Sequence, residues 1–104
     1  MFTEIGTLPE GVDYDGIIHK DFELREQLVS DSVAVFDSPE RAQRAEKNAA
    51  FMGLCILAGQ IITLGHIPKQ EITPELLLDM KQSDFNELSS AARRLEERRK
   101  SFRS

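Results

Sequence analysis

Residues that could support metal or nucleophilic chemistry are few in this chain: His19, His66 and Cys55. Zinc needs three or four converging ligands, and neither histidine has a second histidine or a cysteine three or four residues away. The surrounding patterns predict His19 in a strand and His66 in a loop, far apart. Cys55 is predicted inside an apolar helix without a neighbouring base, where a thiol usually packs as a small hydrophobic group. We therefore expect no metal, no cofactor, no small-molecule substrate and no enzyme activity.

A basic run near the end of the chain could bind nucleic acid; its members are Arg93, Arg94, Arg98, Arg99, Lys100 and Arg103. The run is interleaved with Glu96 and Glu97, and spacings of four residues predict the helix-surface pairs Arg93–Glu97 and Glu96–Lys100. The net charge of the whole chain is −5, which argues against general affinity for phosphate backbones. We expect no nucleic-acid partner, although a small regulator that binds through this run stays an alternative.

The charge of the chain is unevenly distributed, and its cysteine count and amino-terminal sequence favour a cytoplasmic location. Ten acidic residues precede residue 41 against only Lys20 and Arg25, a net charge of −8, so the remainder carries +3. The amino-terminal sequence lacks the order of a secretory signal, and a lone cysteine fits a reducing compartment. Residues 49–64 are almost continuously apolar, but they are fewer than the roughly 18 residues that suggest a membrane span. We expect no membrane partner.

The elements that must position any site begin with a predicted β-hairpin over residues 1–25. Asp15-Gly16 favours a tight two-residue turn. After it, Ile18, Phe22 and Leu24 are predicted to face the core, alternating with a polar face of His19, Asp21 and Glu23. Residues 26–104 are predicted to be helical. The 104 residues then form one α+β domain, a two-stranded antiparallel hairpin packed on three to four helices.

Residues 38–64 are predicted to form one long central helix, capped by Ser38 and ended by Gly65. One face is predicted to lie in the core; its residues are Phe51, Leu54, Cys55, Ala58, Ile61 and Ile62. The opposite face is also apolar and is the candidate partner-binding surface; its residues are Gly53, Ile56, Leu57, Gln60 and Leu64. A helix that is apolar all round is normally buried all round. Either the other helices cover this second face, or a second copy or another protein does.

Two further helices are predicted after this one. Thr73-Pro74 begins a short helix that runs to about Met80. Ser83 begins a terminal helix with one apolar stripe, formed by Phe85, Leu88, Ala92, Leu95 and Phe102. Earlier, residues 24–36 also show helical spacing, at Leu28, Val29, Ser32, Val33 and Phe36.

The order of these signals resembles the small tail assembly chaperones of Mu-like phages and prophages. The resemblance covers residues 11–102. It rests on Tyr14-Asp15-Gly16, on the strand-to-helix passage over residues 22–26 (FELRE), and on residues 72–88, where a short helix precedes a Ser-Asp-Phe helix start. None of these is a catalytic signature, and no partner-binding residue is carried over from the family.

The resemblance implies a non-enzymatic chaperone that binds the tape measure protein in the bacterial cytoplasm. It would keep this long, coiled protein soluble while the tail assembles, and it would be absent from the finished particle. The alternative is a structural adaptor subunit retained in a phage or prophage particle. Self-association into a homo-oligomer is a further expectation, from the second apolar face of the central helix.

Overall fold

A computed structural model describes residues 2–103, of which Arg103 is described by its backbone alone. Its elements in chain order are β1 (Thr3–Tyr14), β2 (Ile17–Arg25), α1 (Val29–Ala34), a 3-10 turn (Val35–Asp37), α2 (Pro39–Lys47), α3 (Ala49–Gln60), β3 (Ile61–Leu64), a second 3-10 turn (Lys69–Glu71), α4 (Pro74–Leu77) and α5 (Gln82–Arg103). The predicted α+β class, with an amino-terminal hairpin packed on helices, is confirmed.

The sheet has three antiparallel strands in the order β1-β2-β3, rather than the two predicted. The hairpin turn lies at Asp15-Gly16, where φ angles of 55° and 78° match the turn type that this dipeptide favours. β3 pairs with β2 through Phe22 and Leu64. The region predicted to be entirely helical, residues 26–104, therefore contributes one strand to the sheet.

An irregularity in the β1–β2 pairing changes which side of β2 faces the core. The pairing register shifts between Thr7 and Val12 of β1, because β1 has more residues than β2 in this interval. On the turn side of this shift, His19 is buried and Ile18 is about half exposed. The prediction that Ile18 faces the core and His19 faces solvent was wrong. A bulge moves side chains to the opposite face because successive strand residues alternate in direction.

The prediction of one helix over residues 38–64 was also wrong. The chain turns at Asn48, whose Oδ1 accepts hydrogen bonds from the backbone N–H groups of Ala50 and Phe51 and so caps α3. α3 ends at Gln60. β3 follows because Ile61, Ile62 and Thr63 are β-formers and because pairing with β2 buries Ile61 and Leu64 completely. Gly65 has φ +55°, but it ends a strand and not a helix.

The other predicted helix starts agree with the structure. Ser38 Oγ accepts from Arg41 N at 3.4 Å at the start of α2, and Thr73 Oγ1 accepts from Leu76 N at 3.2 Å at the start of α4. α4 ends at Leu77, earlier than the predicted Met80.

The main core lies between the sheet, α3 and α5. Its fully buried side chains include Leu8, Phe22, Leu24, Ile61, Leu64, Leu77, Leu88 and Leu95. A second, smaller cluster joins the 3-10 turn, α2 and α3 through Val35, Ala45, Phe51 and Cys55. In the terminal helix Leu88 and Leu95 lie in the core as predicted, whereas Phe102 is exposed.

Candidate functional site: an apolar groove on helix α3

A groove of about 790 Å³ runs along α3, with α1 on one side and α5 on the other. We call it the α3 groove. Its floor comes from α3, one wall from α1 and the preceding linker, and the opposite wall from α5. The lining residues are Glu26, Gln27, Leu28, Val29, Ser32, Ala50, Gly53, Ile56, Leu57, Gln60, Phe85, Ser89, Ala92, Arg93, Leu95, Glu96 and Arg99.

The floor of the α3 groove is low because two of its exposed residues are small. Ala50, Gly53, Leu57 and Gln60 recur at helical spacing, so one face of α3 forms the floor. A Cβ atom placed on Gly53 would meet nothing within 4 Å, so the space above this residue is open. Leu57 supplies an apolar surface at the base while remaining packed in the core.

The wall formed by α5 also consists of residues on one face of a helix, and this helix is longer than α3. Phe85, Ser89, Ala92, Glu96 and Arg99 fall on one face of α5. The distance from the first to the last along the helix axis is about 21 Å, at 1.5 Å per residue. The wall is therefore apolar at its amino-terminal end and charged at its carboxyl-terminal end.

Asp84 anchors the start of α5 to the irregular part of β1. Its side chain is fully buried, and its carboxylate oxygens accept hydrogen bonds from the backbone N–H groups of Glu10 at 2.9 Å and Gly11 at 3.0 Å. Two backbone donors freed by the bulge are thus satisfied by one charged acceptor, which is among the stronger kinds of hydrogen bond. This contact fixes the amino-terminal end of the α5 wall relative to the sheet.

Further along α5, two arginines of the basic run bind back onto β1. Arg94 Nε and Arg98 Nη1 lie 3.1 Å and 3.0 Å from the two carboxylate oxygens of Glu4, and Arg98 also donates to the carbonyl oxygen of Thr3. The predicted Glu96–Lys100 pair forms at 3.3 Å. Between the described side chains of Arg93 and Glu97 no ion pair forms. Part of the basic run is therefore used to hold α5 on the sheet.

The α1 wall is held by a partly buried ion pair between Arg25 and Asp31. Arg25 donates to both carboxylate oxygens of Asp31, at 2.9 Å and 2.7 Å, and to the carbonyl oxygen of Gly59 at 2.7 Å. Asp31 also accepts from the backbone N–H of Leu28 at 2.8 Å. One guanidinium thus joins the end of β2, the start of α1 and the end of α3.

Glycine is needed at position 59 for this arrangement. A Cβ atom there would lie 2.9 Å from Asp31 Oδ1, closer than such atoms normally approach. Burial alone would raise the pKa of Asp31, but hydrogen bonds from Arg25 and Leu28 and the positive charge of Arg25 outweigh it, so the pKa is lowered. Asp31 is therefore ionised in the folded protein well below neutral pH.

One ion pair spans the end of the groove. Arg99 Nε on α5 lies 2.8 Å from Glu26 Oε1 on the linker before α1. Both residues line the groove, so this pair joins its two walls directly. It leaves the middle of the groove, over Gly53 and between Val29 and Ala92, without a charge pair across it.

The predicted partner-binding residues divide between the groove and the core. Gly53, Ile56, Leu57 and Gln60 all line the α3 groove, with Gly53 exposed and Ile56 partly exposed. Leu57 and Gln60 are only 6% and 7% exposed. Leu64 is completely buried in β3, so it lies in the core of this chain and away from the groove.

Sequence reasoning missed both walls of the groove. The apolar spacing of Leu28, Val29 and Ser32 was recognised, but nothing in it shows that this face of α1 turns away from the core. On α5, Ser89 and Ala92 look like ordinary helix-surface residues. The signal that could have found the groove is the spacing of the small residues Ala50 and Gly53, which places both on one face of α3.

The residues considered for chemistry lie elsewhere. His19 and His66 are close together, not far apart as predicted: the backbone N–H of His66 donates to His19 Nδ1 at 3.1 Å, because β3 pairs with β2 and Gly65 turns the chain beside it. Burial raises the pKa of the Cys55 thiol, which makes it a poorer nucleophile. Among residues 2–103, no cluster of three or more histidine, cysteine or acidic side chains is placed to hold a metal ion.

Comparisons of the chain with protein-family models, with curated proteins and with solved structures found no match in any of the three. Within the described part of the chain, no helix combines the length and the apolarity required to cross a membrane.

Proposed function

We propose that this protein is a non-enzymatic chaperone of phage tail assembly that binds helical segments of the tape measure protein in the bacterial cytoplasm. The observation that carries the proposal is the α3 groove, whose size and lining suit one face of an amphipathic helix. The resemblance over residues 11–102 supplies the identity of the client. The tape measure protein would keep its apolar surfaces covered by the chaperone until tail subunits assemble around it.

The dimensions of the groove support a helical client. A helix of 10 Å diameter that follows the α5 wall for about 21 Å occupies about 1,600 Å³. The groove, with a volume of about 790 Å³, is open along one side. A client helix would therefore bury one side in the groove and leave the other side in water, as amphipathic helices do in helix-in-groove complexes.

The lining supports the same class of client. Apolar side chains of Leu28, Ile56 and Phe85 offer contacts for anchors spaced three or four residues apart. Charged residues stand at the end of the groove, at Arg99 and Glu26. An apolar centre with a polar rim is the usual arrangement of a protein interface.

The experiment is co-expression of the tape measure protein from the same gene cluster with the wild-type chain and with Gly53→Leu. The wild-type chain should raise the soluble yield of the client and co-purify with it, whereas Gly53→Leu should do neither. Ala49→Leu is the matched control, because it adds the same side chain to an exposed position of α3 outside the groove. Unchanged solubility with the wild-type chain and no complex would refute the proposal.

Analysis of purified phage particles distinguishes a chaperone from an adaptor that is retained in the particle. Mass spectrometry of purified particles should find no peptides of this chain if it acts only during assembly. A stoichiometric amount in the particle would favour the adaptor instead.

A further inference from the structure

A second apolar surface lies on the outside of α1 and the 3-10 turn that follows it. Val29, Val33 and Phe36 are spaced four and three residues apart, and they are 83%, 58% and 55% exposed. Their neighbours Ser30 and Ala34 are also exposed and carry no charge. A patch of large apolar side chains without charges at its centre is typical of a surface that another protein covers. We call these three residues the α1 stripe.

The α1 stripe stands directly beside the α3 groove. Val29 belongs to both, and Leu28 and Ser32 on the same helix line the groove wall. Residues 29–37, which hold the stripe, span about 13 Å along their axis, and the groove is about 21 Å long. The same molecule therefore presents a short apolar helix and, next to it, a groove long enough to take such a helix.

We propose that a second copy of this chain covers the stripe: the α1 stripe of each copy lies in the α3 groove of the other, in a two-fold symmetric dimer. Two-fold symmetry makes the two insertions equivalent, so both stripes and both grooves are covered at once. The two α1 helices then lie side by side between the two α5 helices. This inference goes beyond the proposed function and does not depend on it.

Charge favours a second copy over other occupants. The acid within α1, Asp31, is paired with Arg25, and the stripe ends beside the exposed carboxylate of Asp37. On the α5 wall of the groove, Arg99 is paired with Glu26 and Glu96 with Lys100, whereas Arg93 presents an exposed guanidinium. In the dimer, the carboxylate of Asp37 meets the guanidinium of Arg93 of the other copy, and complementary charges of this kind favour association and fix orientation.

In the dimer, the groove is covered while no client is bound. An open apolar groove on a free protein invites non-specific association, and a second copy would cover it until a client helix arrives. Client and second copy then compete for the same groove, so client binding converts dimers into monomeric complexes. An assembly chaperone requires a surface that is covered in the free protein and becomes available when the client binds.

The test is the oligomeric state of the full chain by sedimentation velocity across a wide concentration range. Val33→Lys adds a charge to the centre of the stripe, and Ile5→Lys is its matched control on the outer face of the sheet, where Ile5 is exposed. We expect wild type and Ile5→Lys to dimerise with similar dissociation constants, and Val33→Lys to dissociate about tenfold more readily or to be monomeric. Circular dichroism verifies that each variant is folded. If Val33→Lys unfolds, Phe36→Ser replaces it.

Two results would overturn the dimer: wild-type protein that stays monomeric at every concentration, or a dimer that Ile5→Lys disrupts and Val33→Lys does not. Binding of the tape measure protein separates this inference from the proposed function. Val33→Lys leaves the groove open, so client binding should be retained or strengthened, whereas Gly53→Leu should lose both dimer and client. Dimerisation as expected without client binding by any variant would refute the chaperone and leave the dimer standing.

Discussion

Replacement of Gly53 by leucine should raise the stability of the protein while lowering its affinity for a client. Gly53 lies inside α3, and a Cβ atom added there meets nothing within 4 Å. Replacing an interior helical glycine by alanine gains about 0.5–1 kcal/mol, because glycine loses more backbone entropy on folding. For a domain of this size, each 1 kcal/mol raises the melting temperature by roughly 4–8 °C. Both Gly53→Ala and Gly53→Leu should therefore melt several degrees above the wild type.

The two variants should differ in binding. Alanine adds one methyl group to the floor of the groove, whereas leucine fills the space that a client side chain would occupy. Losing the burial of one such anchor costs about 1.5–3 kcal/mol, which is roughly a 10-fold to 100-fold weaker complex.

The assay combines thermal melts with titration of a helical tape measure fragment, using Gly53→Ala and Ala49→Leu as controls. A Gly53→Leu protein that melts higher and binds as tightly as the wild type would refute the groove as the binding surface. A Gly53→Leu protein that melts lower would show that the space over this residue is not open.

Three further changes follow from the contacts around the groove. Asp84→Ala should cost about 1–3 kcal/mol in urea denaturation, because it leaves the part-buried backbone donors of Glu10 and Gly11 without their acceptor. An unchanged stability would mean that the bulge in β1 does not need this anchor. Asp31→Asn should cost about 2–3 kcal/mol at pH 7. The pKa of Asp31 in the folded protein lies below its unfolded value of about 3.9, so the stability advantage of the wild type is complete above that value and shrinks as pH falls through the folded pKa. Thermal melts of both proteins at several pH values test this. A stability difference that stays constant down to pH 2 would contradict it. Leu57→Asp should unfold the domain, since this leucine is 6% exposed, and a folded, fully helical variant by circular dichroism would show that its side chain is not part of the core.

The sequence predicts the local elements of this fold better than it predicts their arrangement. Asp15-Gly16, Ser38 and Thr73 act within a few residues of the chain, and the turn and helix starts that they specify are where the pattern places them. Asn48 belongs to the same kind of signal, since asparagine is a strong helix cap. The signal was missed because helix-forming residues lie on both sides of Asn48, in a charged segment before it and an apolar one after it.

Features that depend on distant contacts could not be read from local patterns. Residues 61–64 continue the apolar run of α3, and only pairing with β2 makes them a strand. The exchange of Ile18 for His19 in the core depends on extra residues in β1, in the partner strand. The outward direction of the α1 stripe depends on Asp31, which turns inward to bind Arg25.

In the candidate site, too, the features set by local sequence could be predicted and those set by distant contacts could not. The helical wheel of α3 places Gly53 and Ile56 on the face opposite the predicted core face, and both residues line the groove. Leu64 was grouped with them only because the helix was extended through β3. The α5 wall required knowledge of how the terminal helix crosses the sheet, which the anchors at Asp84 and Glu4 determine.

Site-specific photo-crosslinking in cells that make the tape measure protein tests the central claim most directly. A photoreactive amino acid at Ala50 would lie in the α3 groove, and the same residue at Gln43 would lie on an exposed part of α2 outside it. The proposed function predicts a crosslink from position 50 to a helical segment of the tape measure protein and none from position 43. Crosslinks of equal yield from both positions, or none to the tape measure protein from position 50, would contradict it.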